Sequence, residues 1–170
     1  MVSGRHHLLL VNPSAGGGRA AALLPRVQAA LDVNGLDYRL VLTTSAEHGC
    51  AEARAAAEAG EAVIAMSGDG LLGQVGGVLA GTGIPLGVIP GGRGNDLARV
   101  LRIPTEPEPA AELIASGVTR TIDVGEVNGK RYLCVASCGF DSDANQIANE
   151  AKLVRGNLVY LYAALRGLAA

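Results

Sequence analysis

The stretch Ala62-Val-Ile-Ala-Met-Ser-Gly-Asp-Gly-Leu-Leu72 joins an apolar run to a glycine turn and then to helix-like sequence. A short apolar run bounded by turn residues predicts a buried strand. A helix that begins directly after such a strand leaves backbone N–H groups directed at one spot, where its dipole favours an anion. Glycine at the turn lets a phosphate approach that backbone closely. This stretch therefore predicts a strand, turn and helix that together bind phosphate groups.

The same arrangement recurs along the chain. Glycine-rich stretches also follow apolar runs at residues 12–18, 90–96 and 137–141, and the first two of these again open onto helix-like sequence. Alternation of short apolar runs with helical periodicity is typical of crossover units, which build a mostly parallel sheet. We expect strands at residues 7–11, 38–42, 62–66 and 86–89, and helices at about residues 19–34, 47–59 and 71–80. Glycines at positions 35, 60 and 81 stand where these helices should end on a left-handed residue.

The pattern changes after residue 95. Short helices are expected at residues 95–101 and 110–115. The β-rich runs 119–127 and 130–136 flank Asn128-Gly129, a strong signal for a hairpin turn. Residues 144–168 have the pattern of a helix, interrupted near Gly156, whose apolar face we expect to pack on this domain's own sheet. The predicted fold class is α/β: a doubly wound, mostly parallel sheet with a C-terminal β-hairpin and helices.

The composition limits the classes of protein to which the chain can belong. Its 170 residues and 17.2 kDa predict one compact domain. A net charge of -2, with one Phe and four Tyr, provides neither the basic surface nor the stacking platform of a nucleic-acid binder. Cys50, Cys134 and Cys138 are odd in number and irregularly spaced, which indicates reduced thiols and a cytoplasmic location. No signal peptide is expected, and the apolar stretch at residues 158–165 is far shorter than the ~20 residues of a transmembrane helix.

The glycine loops are not P-loops. A P-loop needs a lysine directly after its glycines, because that lysine reaches the β- and γ-phosphates. The only lysines, Lys130 and Lys152, lie outside every glycine loop. A Walker-type NTPase is therefore excluded.

The first loop does match a dinucleotide-binding fingerprint. Gly16, Gly18 and Ala21 have the spacing G-x-G-x-x-A after a predicted strand. A dehydrogenase would also need an acid at the end of the second strand, to hold the ribose hydroxyls. That position carries Thr43 and Thr44, and Asp37 lies at the opposite end of the strand. A dinucleotide-dependent oxidoreductase, with Asp37 essential, is kept as an alternative.

Two aspartates stand among the glycines of the later loops. Asp69 and Asp96 follow predicted strands, and the loops at the carboxyl ends of parallel strands converge with residues 12–18 on one crevice. An isolated Asp in a glycine turn more often shapes the turn or caps a helix, and Asn95 is expected to be such an N-cap. Two carboxylates beside a phosphate site imply a divalent cation, since they would otherwise repel the anion, and Mg²⁺ suits these oxygen ligands. Phosphoryl transfer depends on such positioning and charge neutralisation.

Five motifs occur in a fixed order along the chain. They are Val11-Asn-Pro-Ser-Ala-Gly16, Ser67-Gly-Asp-Gly-Leu71, Ile89-Pro-Gly-Gly-Arg-Gly-Asn-Asp-Leu-Ala-Arg99, Ile122-Asp-Val-Gly125 and Gly139-Phe-Asp141. In these motifs the chain resembles the diacylglycerol kinase catalytic domain family, which includes bacterial lipid kinases and sphingosine and ceramide kinases. The resemblance runs from about residue 7 to residue 168. The Gly-Asp-Gly core also occurs in phosphofructokinases and NAD kinases, whose nucleotide-binding fold is implied here.

The resemblance implies an ATP-dependent kinase that phosphorylates a lipid hydroxyl, foremost that of diacylglycerol, at the membrane surface. ATP and Mg²⁺ are the implied cofactors, membrane association would be peripheral, and a homodimer is left open. The implied nucleotide site consists of Asn12, Gly16, Thr43, Ser67, Gly68, Asp69, Gly70, Leu71, Leu72, Gly73, Gly92 and Arg93.

The implied catalytic residues are acidic. Asp69, Asp96 and Asp123 match the positions that organise a water and magnesium network in bacterial members, so Asp69 and Asp96 would hold the metal through water. In sphingosine kinases the aspartate at the position of Asp69 has a direct catalytic role.

The chain departs from the family pattern at a few positions. Ser67 and Leu71 resemble the sphingosine kinase variant of the second motif. Gln74 replaces a glutamate and keeps its hydrogen-bonding shape without its charge. Arg93 replaces a threonine or serine and supplies a guanidinium that can grip phosphate as a fork.

Length is a further departure. Bacterial members continue into a second, β-rich domain that carries a catalytic acid and much of the lipid pocket. Residues 1–170 are therefore expected to be the nucleotide-binding catalytic domain of a longer lipid kinase, without that second domain. An NAD kinase-like phosphotransferase and a non-catalytic nucleotide-binding module are two further hypotheses for the function.

Overall fold

Strands and helices alternate through most of the chain, as the sequence predicts. A computed structural model describes residues 6–134, which belong to one unit of close contacts, Met1–Cys134. The elements are β1 (His7–Val11), α1 (Arg19–Val33), β2 (Tyr38–Leu42), α2 (Ala46–Glu58), β3 (Ala62–Ser67), α3 (Asp69–Leu79), β4 (Leu86–Pro90), α4 (Asp96–Leu101), α5 (Pro107–Ala115), β5 (Gly125–Val127) and β6 (Lys130–Tyr132). Within the described part of the chain, no helix is long and apolar enough to cross a membrane.

The main sheet has four parallel strands in the order β2-β1-β3-β4. Every residue of β1 and β3 is buried, because helices cover both faces of these central strands. The outer strands β2 and β4 are only partly buried. The predicted doubly wound, parallel α/β fold is therefore confirmed.

The helices divide between the two faces of the sheet. Leu9 and Val11 of β1 pack with α1 and α5 in one core cluster. Leu8 and Leu10, whose side chains point to the other face, pack with α2 and α3 in a second cluster. The chain thus winds in opposite directions after β1 and after β3, which are neighbours in the sheet. Ligands of such sheets bind at the carboxyl ends of the strands beside this switch point.

The helix boundaries differ slightly from the prediction. Helix α5 begins at Pro107, three residues before the predicted start at residue 110. A proline is well suited to the first helical turn, because its missing N–H would have no partner there. The predicted left-handed glycines after α1, α2 and α3 are confirmed, with φ of 68°, 75° and 83° at Gly35, Gly60 and Gly81.

Strands β5 and β6 form the predicted hairpin in shortened form. Asn128 and Gly129 have φ of 50° and 74°, the left-handed pair that a two-residue hairpin turn requires. The strands cover residues 125–127 and 130–132 rather than 119–127 and 130–136, because these two three-residue runs pair only with each other. Residues 119–122 and 124 line a cavity of about 870 Å³ along β4. Arg131 fixes the hairpin to α3 by donating to Gly77 O at 3.1 Å. The predicted helix at residues 144–168, the motif at 139–141 and Cys138 lie outside the described residues.

Candidate active site

Three loops meet at the carboxyl edge of the sheet. Loop 1 (residues 12–18) follows β1, loop 2 (residues 67–70) runs from the last residue of β3 into the first turn of α3, and loop 3 (residues 91–96) runs from the end of β4 to the first residue of α4. Loop 3 begins beside the end of β3, where Gly91 N donates to Ser67 O at 2.9 Å. It also contacts Gly16 of loop 1 and Gly68 of loop 2, so that the three predicted glycine motifs form one surface.

The loops pack backbone against backbone. A Cβ on Gly16, whose φ is +64°, would lie 2.6 Å from Gly91 O. A Cβ on Gly92 would lie 2.5 Å from the Cα of Gly68. Neither contact leaves room for a side chain, so the glycines allow an approach that any other residue would prevent.

Asn95 holds loop 3 in shape. Its Oδ1 accepts from Gly92 N at 2.8 Å and its Nδ2 donates to Gly92 O at 3.0 Å, and the residue itself is buried with φ of 52°. Although Asn95 occupies the position before α4, its side chain makes no hydrogen bond to that helix. Asn95 therefore occupies the predicted N-cap position, and its C=O accepts from Arg99 N at 3.0 Å, but its side chain does not cap α4 because the buried backbone of Gly92 takes both of its polar groups.

The cap of α4 comes instead from Asp69. Its Oδ1 accepts from the backbone N–H of Leu97 at 3.2 Å, which satisfies a donor in the first turn of α4. This bond joins the start of α3 to the start of α4. It also fixes the direction of the carboxylate, whose second oxygen stays outside the cap.

Asp69 and Asp96 face the same point. A Cβ on Gly94 would lie 3.2 Å from Asp69 Oδ2 and 3.5 Å from Asp96 Oδ2. The other oxygen of Asp96 accepts from Arg99 Nη1 at 2.8 Å, in an exposed ion pair. In each aspartate one carboxylate oxygen accepts a hydrogen bond from the protein, and the other lies beside the exposed Gly94. We call Asp69 and Asp96 the acidic pair.

The acidic pair fits a magnesium ion that is shared with phosphate. In residues 6–134 no three His, Cys, Asp or Glu side chains are grouped as a cage for a metal. Mg²⁺ does not need such a cage, because it keeps several waters and binds through one or two carboxylates together with substrate phosphates. Two free carboxylate oxygens next to the glycine loops match that requirement.

A thiol lies within electrostatic reach of the acidic pair. Partial burial raises the pKa of Cys134, and the charges of Asp69 and Asp96 raise it further. No motif in the sequence connects Cys134 with these aspartates, which are distant along the chain. The residue follows β6, so the hairpin brings the end of the described segment to the site.

The other predicted residues divide between framework and open surface. Asn12 Oδ1 accepts from Ser14 N at 3.1 Å and shapes loop 1. Thr43, Leu71 and Leu72 are buried, so their side chains belong to the core. At Gly70 and Gly73 an added Cβ would meet nothing within 4 Å, so this side of α3 is open.

Ser67 and Asp123 differ from these groups. Ser67 is buried, and its Oγ is the one buried side-chain polar atom in residues 6–134 without a hydrogen-bond partner. Asp123 is exposed in the segment before β5, and none of the hydrogen bonds found among the described residues joins it to the acidic pair. Its catalytic role stays a prediction.

Two arginines reach across the contact between loops 1 and 3. Arg93 of loop 3 extends over loop 1, where its Nη2 would lie 3.5 Å from a Cβ on Gly17. Arg19, the first residue of α1, extends the other way and donates from Nη1 to Gly92 O at 3.4 Å. The sequence motifs predict Arg93 as a site residue but not Arg19. A basic residue directly after the glycines of loop 1 was the signal that could have identified it.

The position of Asp37 disfavours the dinucleotide alternative. Asp37 lies before β2, at the amino end of the sheet, with its carboxylate 2.9 Å from His6 Nδ1. At the other end of β2, Thr43 is buried and offers no acid to a ribose. The fingerprint glycines therefore lack the partner that a bound dinucleotide needs.

Comparisons with known proteins agree on one family. The family model for the diacylglycerol kinase catalytic domain matches residues 6–127. A diacylglycerol kinase of Mycobacterium tuberculosis is 39% identical over 168 residues, covering 94% of this chain and 54% of the relative. A diacylglycerol kinase of Bacillus subtilis is 32% identical over 157 residues, covering 89% of this chain and 52% of the relative.

A solved structure gives the same result. The crystal structure of a diacylglycerol kinase from Bacillus anthracis matches with a TM-score of 0.69 and 30% identity, over 78% of this chain and 51% of that one. The chain spans about half the length of the curated relatives it matches.

Proposed function

The chain belongs to the diacylglycerol kinase catalytic domain family, and from this premise we propose that it is the nucleotide-binding half of an ATP-dependent lipid kinase. The reaction is transfer of the γ-phosphate of Mg-ATP to a lipid hydroxyl, with diacylglycerol as the foremost acceptor. We assign nucleotide binding to the 170 residues, and turnover to a chain of the length of the relatives. Meeting the lipid acceptor requires peripheral contact with a membrane surface.

The convergence of the acidic pair beside the three glycine loops carries this proposal. Kinase chemistry needs a surface of backbone donors for the phosphates, and carboxylates that hold a cation next to them. Loop 1 and loop 2 supply backbone that a phosphate can approach closely, because nothing lies within 4 Å of the positions that a Cβ would take on Gly18 and Gly70. Asp69 Oδ2 and Asp96 Oδ2 lie on the adjacent side of loop 3.

In this proposal the residues have separate tasks. The N–H groups of loop 1 and of the first turn of α1 bind the phosphate chain, since the α1 terminus has no side-chain cap. A bound Mg²⁺ supplies charge neutralisation on the phosphates. Because Asp69 and Asp96 would hold the cation through water, Asp69 Oδ2 is not itself a metal ligand. It accepts the proton of the lipid hydroxyl as the hydroxyl oxygen bonds to the γ-phosphorus and the bond to the ADP oxygen breaks. A positioned general base typically contributes about 10²- to 10⁴-fold to such a rate.

Calorimetric titration of the 170-residue chain with Mg-ATP, Mg-ADP and NADH tests the binding assignment. The variant Asp69→Asn keeps an oxygen for the Leu97 N–H and removes only the charge. We expect adenine nucleotides to bind to the native chain, and magnesium to strengthen this binding much less in the variant. Glu58→Gln, at the exposed end of α2, is the control for loss of one negative charge. Tighter binding of NADH than of Mg-ATP, or an unchanged magnesium dependence in Asp69→Asn, contradicts the proposal.

The acceptor is tested separately on a chain extended to the length of the relatives. Transfer of labelled phosphate from ATP to diacylglycerol, sphingosine and NAD, each offered alone, identifies the acceptor class. We expect label in diacylglycerol in the lipid phase and none in NAD. Label in NAD alone would assign the chain to the NAD kinase alternative.

A further inference from the structure

The side chains of Arg19 and Arg93 extend in opposite directions across the junction of loops 1 and 3. The guanidinium of Arg19 contacts Gly92 of loop 3, and that of Arg93 lies over Gly17 of loop 1. Both groups therefore lie beside the contact between these two loops. The backbone between them is that of Gly16, Gly91 and Gly92, which pack against one another. We call this junction, with its two arginines, the arginine seam.

We propose that Arg19 and Arg93 form a clamp for a linear chain of phosphates, and that this clamp binds the chain without help from a divalent cation. This inference rests on the proposed function in one respect, since it places the phosphates of the nucleotide in the arginine seam. The ligand class is any linear di- or triphosphate, and inorganic tripolyphosphate is therefore a ligand in its own right.

Charge supports this assignment. No carboxylate of residues 6–134 forms an ion pair with Arg19 or Arg93, whereas Arg26, Arg39 and Arg99 are all paired in that range. Both side chains are exposed at the mouth of the site. Two guanidinium groups held beside glycine backbone present several N–H donors to one anion, and such groups bind phosphate oxygens in pairs.

The sequence supports it as well. Arg93 places a full positive charge within the third glycine motif, and Arg19 places another directly after the glycines of the first. The acidic pair lies beside Gly94, the residue that follows Arg93 in loop 3. The positive charges of the seam and the carboxylates that would hold a metal therefore lie along one loop.

Calorimetric titration of the 170-residue chain with inorganic tripolyphosphate, in EDTA and at fixed ionic strength, tests the clamp. We expect saturable binding, with the affinity falling about tenfold or more in both Arg19→Gln and Arg93→Thr, as loss of a charged hydrogen bond predicts. Arg93→Lys should recover part of this loss, because lysine keeps the charge without the fork. The matched control is Arg54→Gln on α2, an exposed arginine outside all three loops, and it should bind like the native chain.

Each remaining outcome has a definite meaning. Absence of tripolyphosphate binding, unchanged affinity in Arg19→Gln and Arg93→Thr, or an equal loss in Arg54→Gln overturns the clamp. Mg-ATP binding without tripolyphosphate binding leaves the kinase proposal intact and rejects the clamp. Arginine-dependent binding of tripolyphosphate without any binding of Mg-ATP supports the clamp and rejects the kinase proposal. Thermal melting of every variant checks that the fold is retained.

Discussion

Replacing Gly16 by alanine tests the packing that brings the loops together. The new Cβ would lie 2.6 Å from Gly91 O, a backbone atom that cannot move without shifting loop 3. The residue also has φ of +64°, which an L-residue adopts at a cost of about 1 kcal/mol. Overpacking of this kind typically costs about 1–3 kcal/mol more. We therefore expect Gly16→Ala to lower the free energy of unfolding by about 2–4 kcal/mol.

Gly18 provides a matched control two positions along the same loop. Its φ of +97° is at least as unfavourable for alanine, but an added Cβ would meet nothing within 4 Å. Urea unfolding followed by circular dichroism should therefore show Gly16→Ala to be less stable than Gly18→Ala by about 1–3 kcal/mol, with an unchanged m-value. Equal destabilisation of the two variants would mean that only the backbone conformation matters, and that loops 1 and 3 are not tightly packed.

The remaining predictions concern the framework of the site. Asn95→Ala should lower the free energy of unfolding by about 1–3 kcal/mol, measured in urea, because buried backbone groups of loop 3 lose both partners; no loss would contradict the bracing role. Gly76→Ala should lower the melting temperature, since the side chain of Leu133, directly after β6, packs on that position, whereas Gly73→Ala should raise it as an open helical site. The raised pKa of Cys134 predicts slow alkylation at pH 8, and D69N should shift the midpoint of its rate–pH profile downward, as read by peptide mass spectrometry; a profile unchanged in D69N would place the thiol away from the carboxylates.

The layered fold could be predicted because its signals are local. Strands β1 and β2 have the predicted bounds, and β3 and β4 extend only one residue further, since each is a short apolar run bounded by turn residues. Helices end at glycines because a left-handed residue is needed there. The convergence of the loops follows from the carboxyl ends of parallel strands sharing one edge.

The details of the site could not be predicted because they depend on contacts between distant loops. Asp69 caps a helix that begins 27 residues later, and Asn95 bonds backwards to Gly92 rather than forwards to α4. Neither pairing has a signature in sequence spacing. The reach of Arg19 likewise depends on how closely loop 3 approaches loop 1, which only the packed backbone determines.

Hydrogen–deuterium exchange of the 170-residue chain, with and without Mg-ATP, tests most sharply whether the three loops form one triphosphate site. The loops are separated by about 50 and about 20 residues in sequence, so joint protection reports a shared site. We predict that amides in residues 12–18, 67–73 and 91–96 slow together when Mg-ATP is added. Protection confined to the cavity along β4, with no change in the three loops, would show that they do not bind one triphosphate.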